Sequence, residues 1–229
     1  MALKTTLTTE EITAMVDAAP TLRDKLIVAF LADTGCRTSE LLRLQVQHID
    51  FDQRLVLIPH LKSGIRKKCP SCGKSAGRRQ NFCPKCGAVI SQVAPEGEEQ
   101  RTRLISVGQR VLDLCQEYLE KRAEDTDRLI TISRQMVYRI VRGCAEKSGL
   151  AGQVLLNPET GRMHFVHPHV LRSSLAVDWL GMDDGAKSQK ALQDHLGHKR
   201  FDTTTRYVKL TPSRVAKEVD KVRRKRFGD

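Results

Sequence analysis

The sequence predicts an α+β domain that is mainly α-helical, with one small antiparallel β-sheet and a cysteine-rich insertion in a β-hairpin. Three observations support this fold class. Capping signals followed by apolar residues at helical spacing recur along the chain. Only three segments have the composition of strands. Four cysteines, arranged as two short pairs, lie between two of those segments.

Three helices are predicted before the first strand. Capping residues mark the first two starts at Thr8 and Thr21, and apolar residues follow each of them. The third helix is predicted to start near Thr38 and to carry Leu41, Leu42 and Leu44. Pro20 ends the first helix because proline cannot continue the hydrogen-bond ladder, and Gly35 ends the second.

The strand candidates are 49–51, 54–61 and 101–106. Lys62-Ser63-Gly64 is a turn after the second candidate, so the second and third are expected to form a hairpin that the cysteine-rich segment interrupts.

The rest of the chain predicts helices separated by short loops. Residues 107–121 are amphipathic, Ser133 caps another helix, and residues 155–163 are predicted to be a loop. Further helices are predicted from about His169, over 187–195 and after Thr211.

Positive charge is concentrated in two blocks. The chain of 229 residues has a net charge of +12, of which residues 61–103 and 161–229 carry +7 each, whereas residues 1–60 are slightly acidic. Such blocks favour a basic patch over an evenly charged surface. The charge predicts a polyanionic partner.

The composition is that of a globular protein, and it indicates a reducing compartment. The N-terminus has no apolar leader segment, and the longest apolar run, 26–32, is too short to cross a bilayer. We therefore expect a cytoplasmic protein without a membrane partner. Cys36, Cys115 and Cys144 fall on apolar helix positions and are expected to be inert core residues.

The other four cysteines have the spacing of a metal site. Cys69-Pro-Ser-Cys72-Gly and Cys83-Pro-Lys-Cys86-Gly are two knuckles, each with a glycine that can take a positive φ. Disulfides or chance are the alternatives. Four thiolates would close a structural zinc site, and because residues 66–92 contain few apolar side chains, zinc would supply most of the folding energy of this ribbon.

Two segments could bind an anion. Arg37 lies in the turn between the second and third helices, where it either pairs structurally with Glu40 or clamps a phosphate while Glu40 or Asp33 orients it. His169 and Arg172 are three residues apart at a helix start. They are either structural or an anion site, since a helix N-terminus favours negative charge.

The segment DHLGHKRFDTTTRY contains a candidate nucleophile. His198 follows a leucine and a glycine at a helix end, Asp202 to Thr205 resemble a cap, and Tyr207 follows. A tyrosine in a basic, capped segment can act as a nucleophile, although most tyrosines are packing residues.

Together these segments resemble the catalytic domain of the tyrosine recombinases, the phage integrase family. The resemblance runs from about residue 8 to residue 210, apart from the ribbon. Its motifs are TGCRTSELLRL, HLKSG, HVLRSS and HLGHKRFDTTTRY. By this resemblance the catalytic residues are Arg37, Lys62, His169, Arg172, His198 and Tyr207.

The resemblance implies a site-specific recombinase that cleaves and rejoins double-stranded DNA through a 3′-phosphotyrosine. It implies self-association on DNA, from dimer to tetramer, and neither a nucleotide cofactor nor a catalytic metal. The whole chain is then one catalytic domain carrying the inserted ribbon, and no separate N-terminal core-binding domain is expected.

Three other functions remain open at this stage. A topoisomerase-like strand relaxase would share the chemistry without joining two duplexes. A non-catalytic DNA-binding protein could regulate a related integrase. A zinc-ribbon transcription factor would leave the six-residue set unexplained.

Overall fold

The structure, a computed structural model, describes residues 4–60, 66–77, 80–93, 101–156, 161–198 and 207. The chain divides into two compact units, one formed by Met1–Ile58 with Arg103–Asp229 and the other by Pro59–Thr102. The predicted turn at Lys62, the cap at 202–205 and the helix after Thr211 lie outside the described residues.

Helices dominate the larger unit, which confirms the predicted fold class. The helices are α1 (Thr9–Asp17), α2 (Leu22–Thr34), α3 (Thr38–Leu41), α4 (Gln109–Lys121), α5 (Arg134–Ala145), α6 (Pro168–Met182) and α7 (Ala186–Leu196). The strands are β1 (Ile49–Asp50), β2 (Leu55–His60), β3 (Arg66–Lys68), β4 (Ser75–Gly77), β5 (Arg101–Ser106), β6 (Val154–Leu156) and β7 (Met163–Phe165).

The predicted capping signals form the first two helix ends. At α1 the Thr8 hydroxyl accepts from the Glu11 amide at 3.3 Å, and the Glu11 carboxylate accepts from the Thr8 amide at 2.8 Å. At α2 the Thr21 hydroxyl accepts from the Asp24 amide at 3.1 Å, and Gly35 ends this helix in the left-handed conformation. These bonds satisfy amides that have no partner inside the helix.

Helix α2 is the centre of the larger unit. Its middle, residues 26–31, is apolar on all sides, and the helix is contacted by α1, α4, α5 and α6. A helical segment without a polar face must be buried, because burying each large apolar side chain is worth about 1.5–3 kcal/mol. Residues 26–31 are accordingly buried throughout.

The sheets are small. Strands β1, β2 and β5 form one sheet in that order, with Ile49 opposite Val56 in an antiparallel β1–β2 pair. Strands β3 and β4 pair in the smaller unit, and β6 pairs with β7 in the larger one.

Two expectations about secondary structure were wrong. Helix α3 is a single turn, because the backbone after Leu42 pairs with residues 127–129: the Leu129 amide donates to the Leu44 carbonyl at 2.9 Å. The loop predicted at 155–163 contains parts of a hairpin, since β6 and β7 are each only three residues long and show no alternation that a sequence pattern could reveal.

A second apolar cluster lies between α6 and α7. Its buried members are Ala176, Leu180, Leu192, Leu196 and Tyr207. Among the described helices, none is long and apolar enough to cross a membrane.

Candidate active site

Arg172 is the centre of the site. It lies in the first turns of α6, its side chain is fully buried, and each terminal nitrogen reaches a carbonyl oxygen. One donates to Gly35, and the other donates to Leu196 at 2.7 Å and approaches Nε2 of His198 at 2.8 Å. Burial lowers the pKa of Arg172 to about 10, so the group stays protonated at neutral pH.

The turn at Gly35 requires a glycine for two reasons. Its φ is +58°, a conformation that side-chain-bearing residues rarely adopt. A Cβ at this position would also lie 2.8 Å from a methyl of Leu175 and 2.9 Å from a methyl of Leu196. Because residue 35 is a glycine, the chain can turn from α2 towards Arg37 while Leu175 of α6 and Leu196 of α7 pack against the turn.

Glu40 pairs with Arg37, a contact that both sequence alternatives allow. The Glu40 carboxylate is completely buried and accepts from Arg37 Nη1 at 2.9 Å and from the Arg37 amide at 2.8 Å. The Arg37 side chain is 40% exposed, so it can still reach a ligand. Asp33 has a different role, because it accepts from the Gly108 amide at 2.9 Å.

Arg103, on β5, connects this pair to the end of α7. Its Nη1 and Nη2 donate to the two carboxylate oxygens of Glu40 at 3.1 and 2.8 Å, and its Nε donates to the carbonyl of His195 at 2.8 Å. Burial alone would raise the pKa of Glu40, but hydrogen bonds and charge from Arg103, then those from Arg37, outweigh it and lower the pKa to about 2. The carboxylate is therefore ionised at any physiological pH.

Sequence reasoning missed Arg103. The residue was only one of two arginines on the return strand, and the carboxylate that it meets is 63 positions away. A signal existed in Glu40, since a buried carboxylate needs more cationic partners than one half-exposed arginine supplies.

The two histidines are held neutral. Burial, and then the charges of Arg172 and Arg37, lower the pKa of His198 to about 3. His169 keeps an exposed edge at the start of α6, yet desolvation by the surrounding protein, then Arg172, His167 and Arg37, lower its pKa to about 4. A guanidinium can only donate, so Nε2 of His198 accepts from Arg172 and its proton is on Nδ1.

Tyr207 packs beside His198. The two rings stack with their centroids 5.9 Å apart and their planes 19° from parallel, and Tyr207 is 4% exposed. The charge of Arg172 and the Tyr207 hydroxyl also interact. In this arrangement the tyrosine belongs to the same chain as the arginines and histidines around it.

Five of the six residues that the resemblance names therefore share one site in the larger unit, and the sixth lies outside the described residues. That residue is Lys62. Lys67, five positions further on, is buried and donates to the carbonyls of Ile90 and Ser91 at 3.0 Å each, so its ammonium is engaged within the smaller unit.

The four knuckle cysteines of the smaller unit also come together. Their Sγ atoms all lie within 4.8 Å of one another, with Cys69 and Cys86 at 3.6 Å and Cys72 and Cys83 at 3.5 Å. A tetrahedral zinc with Zn–S bonds of about 2.3 Å requires sulfur separations of about 3.8 Å, so the cluster fits that ion.

The two knuckles have the same backbone. Gly73 donates to the Cys69 carbonyl at 2.8 Å and Gly87 to the Cys83 carbonyl at 3.0 Å, and both glycines have positive φ. Amides of Cys86 and then of Lys85 point at the Cys83 sulfur and lower the pKa of that thiol to about 6. The backbone therefore favours a thiolate.

The remaining cysteines are buried thiols, as expected. Burial raises the pKa of Cys36 to about 11, of Cys115 to about 12 and of Cys144 to about 11.

A sequence model of the phage integrase family matches residues 5–76 and 83–214. The chain belongs to the phage integrase family. A zinc-ribbon domain model matches residues 66–90, within the segment that contains the four cysteines. The family match thus includes Arg37, His169, Arg172, His198 and Tyr207, and between residues 5 and 214 it omits residues 77–82, which lie between the two knuckles.

Curated relatives of this family member include tyrosine recombinases. The chain is 29% identical to tyrosine recombinase XerD of Bifidobacterium longum, covering 90% of this chain and 58% of that one. It is 25% identical to tyrosine recombinase XerA of Pyrococcus furiosus, covering 96% and 62%. The chain therefore spans about three fifths of the length of these relatives. It also covers 88% of the type 1 fimbriae regulatory protein FimE of Escherichia coli, at 26% identity.

Solved structures show the same fold. A crystal structure of XerA recombinase matches with a TM-score of 0.65 at 21% identity, covering 97% of this chain and 66% of that one. The XerH site-specific recombinase bound to a palindromic difH substrate matches with a TM-score of 0.62 at 17% identity, covering 95% and 53%.

Proposed function

We propose that this member of the phage integrase family is a site-specific recombinase that cleaves and rejoins double-stranded DNA through a 3′-phosphotyrosine. One observation carries the proposal. Arg37, Arg172, His169, His198 and Tyr207, which come from three separate segments of the sequence, meet in one site where the two histidines are neutral and the two arginines are charged.

The arginines and His198 are the groups that would stabilise the transition state. As Tyr207 attacks a scissile phosphate, negative charge grows on the non-bridging oxygens. Arg37 and Arg172 can each donate two hydrogen bonds to those oxygens, and His198 adds a third donor. In the present arrangement Arg172 donates to backbone carbonyls and His198, so it is already held in place before a phosphate arrives.

The proton transfers use the remaining groups. The Tyr207 oxygen forms a bond to phosphorus, and its proton passes to His169, whose low pKa keeps an acceptor nitrogen available at neutral pH. The bond from phosphorus to the 5′-oxygen breaks, and that oxygen takes a proton from Lys62, the role that the resemblance gives this residue. Rejoining is the reverse, with a 5′-hydroxyl as the attacking group.

The energy of the broken phosphodiester is retained in the phosphotyrosine, so the reaction consumes no nucleotide cofactor. We also propose that no catalytic metal is needed, because two guanidinium groups supply the positive charge at the phosphate.

Charge on α5 supports DNA as the substrate. This helix carries Arg134 and Arg142, whose guanidinium groups lie over the rings of Tyr138 at 5.8 Å and Phe165 at 4.9 Å. Arginines that lie over partly exposed aromatic rings are suited to phosphates and bases. Recombination joins two duplexes, so we further propose that the protein assembles on DNA as a dimer or tetramer.

The four knuckle cysteines, Cys69, Cys72, Cys83 and Cys86, are proposed to hold one structural zinc. When bound, zinc crosslinks the two turns and supplies folding energy that the ribbon otherwise lacks. Apart from the cysteines, the described core of this unit contains only Ala76 and Ile90 as buried apolar residues. Free thiols of this kind persist in a reducing compartment, which is consistent with a cytoplasmic protein.

The proposal is tested with nicked suicide duplexes made from DNA that flanks the gene. Cleavage should release the short end, leave protein bound to a 3′ end, and be lost in Arg172→Ala. Addition of a second duplex with a free 5′-hydroxyl should yield joined products. A protein that relaxes supercoiled DNA but never joins two duplexes would be a relaxase instead, and one that binds DNA without any adduct would be a regulator.

A further inference from the structure

The ribbon is far more basic than the rest of the chain. Residues 66–93 contain seven lysines and arginines and no aspartate or glutamate. Lys74 and Lys85 are exposed, one beside each knuckle. Because no carboxylate lies within this segment to neutralise them, these cations produce a locally positive field that attracts a polyanion.

The same unit displays two large apolar side chains. Phe82 is 63% exposed and Val89 is 64% exposed, and they lie opposite each other in an antiparallel bridge. Facing residues of such a bridge have their Cβ atoms roughly 5 Å apart, so the two side chains form one apolar spot. A unit whose buried core is this small leaves its one phenylalanine exposed to solvent, so a partner that covers this side chain would gain apolar burial.

We infer that the ribbon is a second DNA-binding surface, in which Lys74 and Lys85 contact phosphates of a duplex and Phe82 and Val89 pack against sugars and base edges in a groove. The charge argues for DNA in preference to an apolar protein surface, since burying an uncompensated basic segment against a neutral partner is costly. The inference rests on the proposed function, because the duplex is the one that the active site would cleave.

The two kinds of contact predict different salt dependences. Each phosphate contact contributes roughly 0.9 to the slope of log affinity against log salt, so losing two should flatten the slope by roughly 1.8 and weaken binding roughly sixtyfold at 0.1 M salt. An apolar contact releases no counterions. Its loss should weaken binding by roughly tenfold or more with an unchanged slope.

The test uses the full zinc-loaded chain with Tyr207→Phe, so that binding is measured without cleavage. Affinity for a flanking-DNA duplex is measured at several salt concentrations for Lys74→Ala with Lys85→Ala and for Phe82→Ala. The matched control is Arg110→Ala with Lys121→Ala, which removes the same two charges from exposed positions on α4. Lys85→Ala preserves the knuckle, because the contact to the Cys83 sulfur comes from the Lys85 amide.

We expect Lys74→Ala with Lys85→Ala to flatten the slope of log affinity against log salt, and Phe82→Ala to weaken binding at an unchanged slope. The control should have a small effect, and every variant should retain one equivalent of zinc. Ribbon variants that bind like the control would overturn the inference, and loss of self-association in those variants would then identify a protein-docking surface. If the ribbon variants with Tyr207 restored still form a covalent adduct with DNA, the inference about the ribbon fails but the proposed function stands. If neither binding nor adduct is seen with any variant, the proposed function itself has failed.

Discussion

Replacing Arg103 with methionine should destabilise the protein and impair cleavage, although Arg103 is not expected to touch DNA. The side chain is 9% exposed and donates three hydrogen bonds, two of them to a carboxylate that is completely buried. Arg103→Met removes both hydrogen bonds that the guanidinium donates to the ionised carboxylate of Glu40. Breaking a buried ion pair in this way costs about 3–5 kcal/mol.

The effect on cleavage follows from what Arg103 joins. It fixes the carboxylate that orients Arg37, and it holds the end of α7 at His195, three residues before His198. A displacement of about 1 Å in a catalytic group can cost roughly 10²-fold in rate. We therefore expect single-turnover cleavage to fall by roughly that factor while DNA affinity changes little, with partial rescue by Arg103→Lys, which keeps the charge but not the planar fork.

Urea unfolding and single-turnover cleavage of the suicide duplex measure the two effects. Arg110→Met is the matched control, since Arg110 forms an exposed ion pair with Asp17 and should lose no more than about 1 kcal/mol. Adding Glu40→Gln to Arg103→Met should restore much of the stability, because the uncompensated charge is gone, but not the rate. An Arg103→Met protein with the stability and cleavage rate of the control would refute the reasoning.

Three further predictions concern metal, pH and the origin of the nucleophile. Protein purified without added zinc should contain about one equivalent, and Cys69→Ser with Cys83→Ser should lose it; full zinc in that variant would refute the ligand assignment. The pKa of His198 is lowered from 6.5 to about 3, so the unfolded chain takes up the proton first and stability falls as the pH falls below 6.5. From pH 7 to pH 5 the preferential protonation of His198 in the unfolded chain should lower the free energy of unfolding by about 2 kcal/mol, and His198→Gln should abolish this contribution. An identical dependence of stability on pH in both proteins would contradict the burial of His198. Mixing Tyr207→Phe with Arg37→Ala should not restore cleavage, because Tyr207 packs within its own chain; restored cleavage would show delivery between subunits.

The sequence was informative where local chemistry decides the structure. Thr8 and Gly35 mark helix ends through their own side-chain and backbone properties, and the knuckle cysteines are close in sequence, so their spacing alone fixes the geometry of each turn. Arg37 and Glu40 are three residues apart, and their pairing could be stated as an alternative without a fold.

What the sequence could not supply depends on contacts between distant segments. Arg103 acquires its role only because β5 brings it to Glu40 and to the end of α7. Helix α3 stops after one turn because a segment more than eighty residues later pairs with the backbone that follows it. The burial of Tyr207 between α6 and α7 likewise has no local signal.

The central claim is that Tyr207 attacks DNA, and covalent trapping tests it most directly. A labelled suicide duplex is incubated with wild-type protein, with Tyr207→Phe or with the matched control Tyr138→Phe. The samples are denatured and resolved by size, and any adduct is digested so that its modified peptide can be mapped. Removing only a hydroxyl keeps the ring that packs against His198, so the fold and DNA affinity of Tyr207→Phe should be retained. The account predicts a labelled adduct on the Tyr207 peptide in the wild type and in Tyr138→Phe, and none in Tyr207→Phe. A covalent complex formed by Tyr207→Phe, or an adduct mapped to another residue, would contradict it.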